Sequence, residues 1–177
     1  MKGEQNMKRM KKAIVGLAVG AIAALGVVGF AACGGDKTVS GTAEGQYDYA
    51  NPWDATKPHY GVKVKVTVED DIIQSLEIVK SNYVQATEGW EGREDYLAHE
   101  SEILAKFKNL DVDDIMKLEI AVDKNGQPIT AKNKDGTANP DFDASTFVVG
   151  ETNLLHTGAT QSCARIILAL QNAIEKL

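Results

Sequence analysis

Cysteine is nearly absent from this chain, which contains only Cys33 and Cys163. There is no C-x-x-C pair and no zinc-type spacing, which argues against thiol redox chemistry and against structural zinc. Histidine is almost as rare, and the three histidines show no ligand-like spacing: His59, His99 and His156. No Ser-His-Asp set, metal cluster or paired-carboxylate site is apparent, so a hydrolase is the least supported class of function.

Positive charge is concentrated at the N-terminus, where residues 1–12 carry five basic side chains and one acid, Glu4. An unbroken run of apolar and small residues fills 13–32, and this order is typical of a secretory signal. The run ends in Ala31-Ala32-Cys33, which resembles the lipobox of bacterial lipoproteins. That resemblance implies that Cys33 is acylated and becomes the first residue of the mature chain.

Two interpretations of this segment remain open. A lipoprotein signal peptide over 1–32 is the prediction, and an uncleaved membrane anchor is the alternative, because twenty apolar residues can span a bilayer. The basic residues stay inside in both cases, so the rest of the chain is expected outside the cytoplasmic membrane. The expected location is therefore the outer face of the bacterial cytoplasmic membrane, reached through a lipid anchor.

Removal of residues 1–32 changes the charge of the chain. It takes away five basic residues and one acidic residue, leaving 14 basic and 24 acidic side chains and a formal net charge of −10. Such a chain lacks the excess of basic side chains that binding to nucleic acid requires. We expect a Gly-, Ser- and Thr-containing flexible tether over 33–45 and one folded domain over 46–177.

The folded part opens with a predicted β-hairpin. Residues 61–68 alternate apolar and polar side chains, residues 69–71 form the turn, and residues 72–79 return as the second strand. Four valines are expected to face the core: Val62, Val64, Val66 and Val68.

The middle of the chain predicts helices and short strands. A helical region is expected over 91–108, and a shorter helix is expected to start at Asp111 as its N-cap. Residues 118–122 predict a strand, residues 125–128 a turn, residues 131–141 an exposed loop, and residues 147–149 a last short strand. Together these elements predict an α+β fold with a small antiparallel sheet and helices packed against it.

The last helix has the strongest periodic pattern. From Gln161 onward, apolar residues recur at spacings of three and four and form a continuous stripe. The stripe comprises Cys163, Ile166, Ile167, Leu170, Ala173, Ile174 and Leu177. Arg165 is expected off this stripe. Cys163 is therefore expected to be a buried, unreactive thiol.

The sequence Thr157-Gly158-Ala159-Thr160 is expected at the N-terminus of that helix. The first N–H groups of a helix lack intrahelical partners, and the helix dipole favours a phosphate there. Thr157 is interpreted as the cap, while Thr160 offers a hydroxyl beside the phosphate position. The residues alone leave two possibilities open: a simple threonine-capped helix or a phosphate site.

The combination resembles the FMN-binding domain family of the NqrC and RnfG electron-transport subunits and of flavinylated surface lipoproteins. It comprises the valine-rich hairpin after Gly45-Gln46-Tyr47, the helical middle, and TGAT entering a terminal helix. The resemblance implies FMN joined to Thr160 by a phosphoester bond, with Thr157, Gly158 and Ala159 shaping the phosphate site. It also implies a flavin transferase that consumes FAD. The chain departs from the family at Leu154, where an Asp is usual, and Asn153 lies beside it.

The resemblance also places a loop against the flavin, which here corresponds to Glu88, Gly89 and Trp90. Trp90 is interpreted either as a stacking partner for the flavin ring or as a side chain that covers the core.

Two functions follow as hypotheses. The first is a membrane-anchored electron carrier between a membrane reductase and an extracytoplasmic acceptor, rather than a stand-alone enzyme. The second is a non-redox surface lipoprotein that binds a ligand or partner with an unmodified TGAT turn.

Overall fold

The structure is a computed structural model that describes residues 38–51, 55–83, 93–132, 137–156 and 159–177. The predicted signal peptide and Cys33 lie outside these residues. Within the described ranges, no helix is both long enough and apolar enough to cross a membrane.

The central sheet has three antiparallel strands in the order β1-β2-β3. They are β1 (Gly41–Tyr49), β2 (Tyr60–Glu69) and β3 (Ile72–Ser81). Asp70 and Asp71 connect β2 to β3 with positive φ angles of 48° and 66°. Two successive left-handed residues give the turn a twist that matches the strands, and Asp tolerates this conformation better than most residues. The predicted hairpin is confirmed, and all four of its valines are buried.

The first strand corrects the expected domain boundary. Residues 41–45, assigned to the flexible tether, form the first half of β1 and pair with β2 from Val68 back to Val64. Gly45 cannot be replaced by a larger residue without conflict, because a Cβ there would lie 2.0 Å from the carbonyl oxygen of Ala169. The glycines in this segment therefore allow β1 to pack closely against the last helix, and they are not simply a sign of a flexible chain.

The remaining elements follow in chain order. They are α1 (Arg93–Ala105), α2 (Val112–Met116), a 3-10 helix (Ala144–Phe147), β4 (Val148–Val149), β5 (Thr152–Asn153) and α3 (Thr160–Ile174). The expected N-cap of α2 is confirmed, since the Asp111 carboxylate accepts a 2.8 Å hydrogen bond from the Asp113 N–H. The short β4–β5 hairpin contains Val148 and Val149 of the predicted last strand, but Phe147 belongs to the 3-10 helix.

The predicted strand over 118–122 is wrong. Only Val122 makes a β-bridge in that segment, to Pro128, and the chain then turns back through Gly126. Asp123 stabilises this turn, because its carboxylate accepts hydrogen bonds from the N–H groups of Asn125 and Gln127. Leu118 and Ile120 are partly buried against the core, whereas Ala121 and Val122 are exposed, so the segment is a loop at the edge of the core.

The long helix α3 packs on β1 and β2, so the fold is α+β with the terminal helix against the sheet. The apolar stripe from Cys163 to Ile174 is buried, as predicted. Burial extends well beyond that stripe, since Ser162, Ala164 and Arg165 are also enclosed.

Candidate functional site

The N-terminus of α3 carries the candidate phosphate site. Thr160 is the first residue of the helix and is partly exposed, while Ala159 is the N-cap and makes no side-chain capping hydrogen bond. The prediction that Thr157 is the N-cap is wrong, because the helix begins two residues later than expected. Thr157 and Gly158 lie outside the described residues. Ala159, the N-cap residue itself, therefore supplies no side-chain oxygen to the N–H groups of the first turn of α3.

Basic side chains lie beside the loop that leads into α3. The Lys106 ammonium donates a 2.6 Å hydrogen bond to the carbonyl oxygen of Leu155. The rings of His99 and His156 lie 4.7 Å apart between centroids. The loop closes onto the helix through a 3.0 Å hydrogen bond from the Ala159 N–H to the carbonyl oxygen of His156. A lysine and two histidines are thus held around the start of α3.

Leu154, which stands where the FMN-binding family that the sequence resembles usually has an Asp, is a core residue of this chain. Leu154 is fully buried, and its N–H donates to the carbonyl oxygen of Phe147 at 2.9 Å. The exposed neighbour Asn153 uses its side-chain oxygen to accept a 2.9 Å hydrogen bond from the Leu155 N–H. The Leu154 side chain therefore cannot make the polar contact that an Asp would make there. Asn153, beside it, is a polar residue exposed to solvent.

Cys163 lies one helical turn after Ala159 and is fully buried, as predicted. Burial raises the pKa of its thiol, and contacts with the His156 backbone and the charge of Lys106 only partly oppose that effect. A thiol that stays protonated and enclosed is a poor nucleophile. The residue acts as part of the core.

Several predicted site residues cannot be placed. Glu88, Gly89 and Trp90, like Thr157, Gly158 and Cys33, lie outside the described residues. Of the predicted cofactor-binding set, the structure therefore brings together Ala159 and Thr160 at the start of α3.

Arg165 is the functional candidate that the sequence interpretation missed. Its side chain is completely buried, although the periodic pattern had placed it on the polar side of α3. The guanidinium stacks over the Tyr60 ring, with its carbon 4.2 Å from the ring centroid. Its Nη1 donates a 3.3 Å hydrogen bond to the carbonyl oxygen of Gly61. The missed signal is the run SCARIILAL, in which a single charge interrupts residues that are otherwise small or apolar. A helix that is apolar on nearly all sides is usually covered on nearly all sides.

The tyrosines form a continuous aromatic row beside Arg165. The centroid distances between successive rings are 6.2, 5.6, 5.8 and 4.3 Å along Tyr47, Tyr49, Tyr60, Tyr83 and Tyr96. The first three separations lie in the usual range for favourable aromatic pairs, and Tyr83 and Tyr96 are slightly closer. Burial raises the pKa of each of these phenols. The row includes all five tyrosines of the chain.

One pocket, beside the 3-10 helix, is too small to hold a flavin. Its volume is about 30 Å³, which is room for about one water molecule, and Phe142 and Phe147 are among its lining residues. No residue of TGAT lines it. Within the described part of the chain, no group of three or more His, Cys, Asp or Glu side chains could hold a metal ion.

Comparison with known proteins gives no further assignment. The chain matches no protein-family profile, and no match is found among curated proteins or among solved structures.

Proposed function

We propose that the protein is a membrane-anchored extracytoplasmic flavoprotein that carries FMN on Thr160 and passes electrons between a membrane reductase and an external acceptor. The observation that carries the proposal is the position of Thr160. It is a partly exposed hydroxyl at the first residue of a 15-residue helix whose N-cap has no capping side chain. This places the hydroxyl at the helix end that favours a phosphate.

The surroundings of Thr160 fit a phosphoester. Lys106 and the His99–His156 pair supply basic groups at the loop before the helix. Ala159 is almost fully buried, and its small side chain adds little bulk at the helix terminus. A phosphate held here would meet backbone N–H donors and nearby positive charge, and both stabilise an anion.

The attachment is a phosphoryl transfer in which no group is oxidised or reduced. The Thr160 hydroxyl oxygen forms a bond to the phosphorus of the FMN half of FAD, the pyrophosphate bond breaks, and AMP leaves. The hydroxyl proton passes to a base of the flavin transferase or to water. Bound FMN would supply one- and two-electron chemistry, while this chain anchors and orients it.

The test is co-expression of the full chain with an FAD-dependent flavin transferase that is shown to be active on another substrate. Intact-mass measurement should show an increase of one FMN minus one water, and the protein should stay yellow after denaturation. Thr160→Ala should abolish the adduct and leave the helix folded, whereas Thr160→Ser should retain partial modification because a hydroxyl remains. The matched control is Gln161→Ala, which alters the neighbouring residue and should leave the mass increase unchanged.

An unmodified mass in the presence of the active transferase would overturn covalent attachment. The second candidate function, a non-redox surface lipoprotein, would then be favoured if denaturation released no flavin. Release of free flavin would instead indicate a noncovalent flavoprotein. The lipid anchor is tested separately, since labelled palmitate should enter the protein and be lost in Cys33→Ala.

A further inference from the structure

The Arg165 guanidinium carries a positive charge that the described residues do not balance. It makes no ion pair with any carboxylate in the described ranges, and its Nε and Nη2 atoms are buried without a hydrogen-bond partner there. Arginine stays protonated in proteins, so neutralisation by proton loss does not relieve this charge. Stacking on Tyr60 compensates part of the desolvation of the guanidinium, but it satisfies no N–H donor.

The two unpartnered donors have a defined arrangement. Nε and Nη2 lie on one edge of the planar guanidinium, while Nη1, on its other side, donates to Gly61. An edge with two parallel N–H groups matches the two oxygens of a carboxylate or a phosphate. Tyr60 and Tyr83 lie against the guanidinium and fix its plane, with ring centroids 4.2 and 5.6 Å from its carbon. The free edge is therefore held in one orientation by the surrounding fold.

We propose that this edge of Arg165 binds an oxyanion, either a carboxylate or a phosphate, carried by a small molecule. The site is separate from covalent attachment at Thr160 and does not rest on it. Arg165 contributes the bidentate contact, and the tyrosine rings contribute an aromatic wall for the apolar part of the ligand. Because the guanidinium is fully enclosed, side chains must give way before the anion enters, and we expect slow association.

The experiment observes the Arg165 Nε–H group directly in the full chain, purified in detergent and carrying Thr160→Ala so that no flavin is attached. The full sequence has three arginines and the chain that begins at Cys33 has two, so an arginine Nε spectrum by NMR contains at most three signals, and Arg165→Lys identifies the relevant one. Inorganic phosphate and acetate are added separately, with chloride at equal ionic strength as the control. The Arg165 signal should shift and saturate with at least one of the two anions. The signals of the other arginines should follow ionic strength alone.

Saturation with phosphate would identify a phosphate-bearing ligand, and saturation with acetate a carboxylate-bearing one. Binding of that anion, measured by calorimetry, should weaken about tenfold or more in Arg165→Gln, since a hydrogen-bonded charge is lost. An Arg165 signal that neither anion moves would overturn the proposal, as would equal affinity in Arg165→Gln. Since flavin attachment is measured by mass on Thr160 and anion binding is measured without it, either proposal can fail alone.

Discussion

The guanidinium of Arg165 lies over the buried ring of Tyr60, with its carbon 4.2 Å from the ring centroid, and both side chains are almost inaccessible to solvent. The residue joins the terminal helix to the second strand, because it also donates to Gly61 of that strand. A buried charge whose Nε and Nη2 donors have no partner among the described residues is costly for folding, and the ligand proposed above would reduce that cost.

Arg165→Met should therefore not lower the free energy of unfolding, and we expect an increase of about 1 to 4 kcal/mol in ligand-free protein. The methionine removes a desolvated charge and keeps a long apolar stem against Tyr60 and Tyr83. Urea denaturation followed by circular dichroism measures the effect, with Ile166→Met as a control for the cost of repacking the same helix. A loss of about 3 to 5 kcal/mol would show instead that Arg165 is neutralised within the chain.

The protein should unfold at alkaline pH through its buried tyrosines. Burial raises the pKa of Tyr49, Tyr60, Tyr83 and Tyr96 above their usual value of 10.0, so the folded state keeps protons that the unfolded chain loses. The free energy of unfolding should be constant below the unfolded pKa and fall above it, by about 1.4 kcal/mol per pH unit for each buried tyrosine.

Tyrosinate absorbance and circular dichroism, recorded together during a pH titration, test this behaviour. The two signals should change in one transition for the four buried rings, and Tyr96→Phe should reduce the slope by the contribution of one group. Tyrosinate formation well before the loss of circular dichroism would contradict it.

Gly45→Ala should destabilise the fold by more than about 3 kcal/mol, because the new methyl group meets backbone atoms that cannot move aside easily. The added Cβ would lie 2.0 Å from the Ala169 carbonyl oxygen and 2.4 Å from the Ala173 nitrogen. Gly150→Ala is the matched control, since it meets no atom within 4 Å and only its φ of +56° opposes the change. We expect that control to cost about 1 to 2 kcal/mol. Equal losses in the two variants would disprove the close packing of β1 on α3.

Asn153→Asp should be tolerated and should increase flavin attachment when the transferase is limiting. Its carboxylate can keep the hydrogen bond from the Leu155 N–H. It also places an acid next to position 154, where the FMN-binding family that the sequence resembles usually has an Asp. Leu154→Asp should instead destabilise the protein by several kcal/mol, because it buries an unpaired carboxylate in the core. Intact mass at early times measures attachment, and thermal unfolding measures stability. Equal rates for the natural chain and Asn153→Asp would show that the transferase does not read an acid there.

The elements that sequence reasoning predicted well are those with a strong local pattern. The β2–β3 hairpin follows from alternating valines, and Asp111 caps α2 as its side chain predicts. The first strand was missed because its glycines and polar residues suggest flexibility, although they are needed where α3 approaches closely. Residues 118–122 have strand-like composition, yet a single β-bridge and the Asp123 turn make them a loop.

Part of the candidate site could be located from sequence in the same way. The placement of the TGAT segment near the start of the last helix followed from periodicity, because the apolar stripe begins at Cys163, three residues after Thr160. The N-cap was wrong by two residues, since helix ends depend on local geometry that composition does not determine. The run SCARIILAL could have indicated that Arg165 is buried, but its contact with Tyr60 could not be inferred, because Tyr60 lies far away in the chain. The contact of Lys106 with Leu155 could not be inferred for the same reason.

The close approach of β1 to α3 also sets a distance between two ends of the domain. A Cβ at Gly41, where β1 begins, would lie 3.1 Å from Leu177, so the chain enters the sheet beside the C-terminal end of α3. Thr160 begins that helix, and its 15 residues span about 20 Å. A molecule that binds at Thr160 therefore meets the domain about 20 Å from the point at which residue 41 enters the sheet.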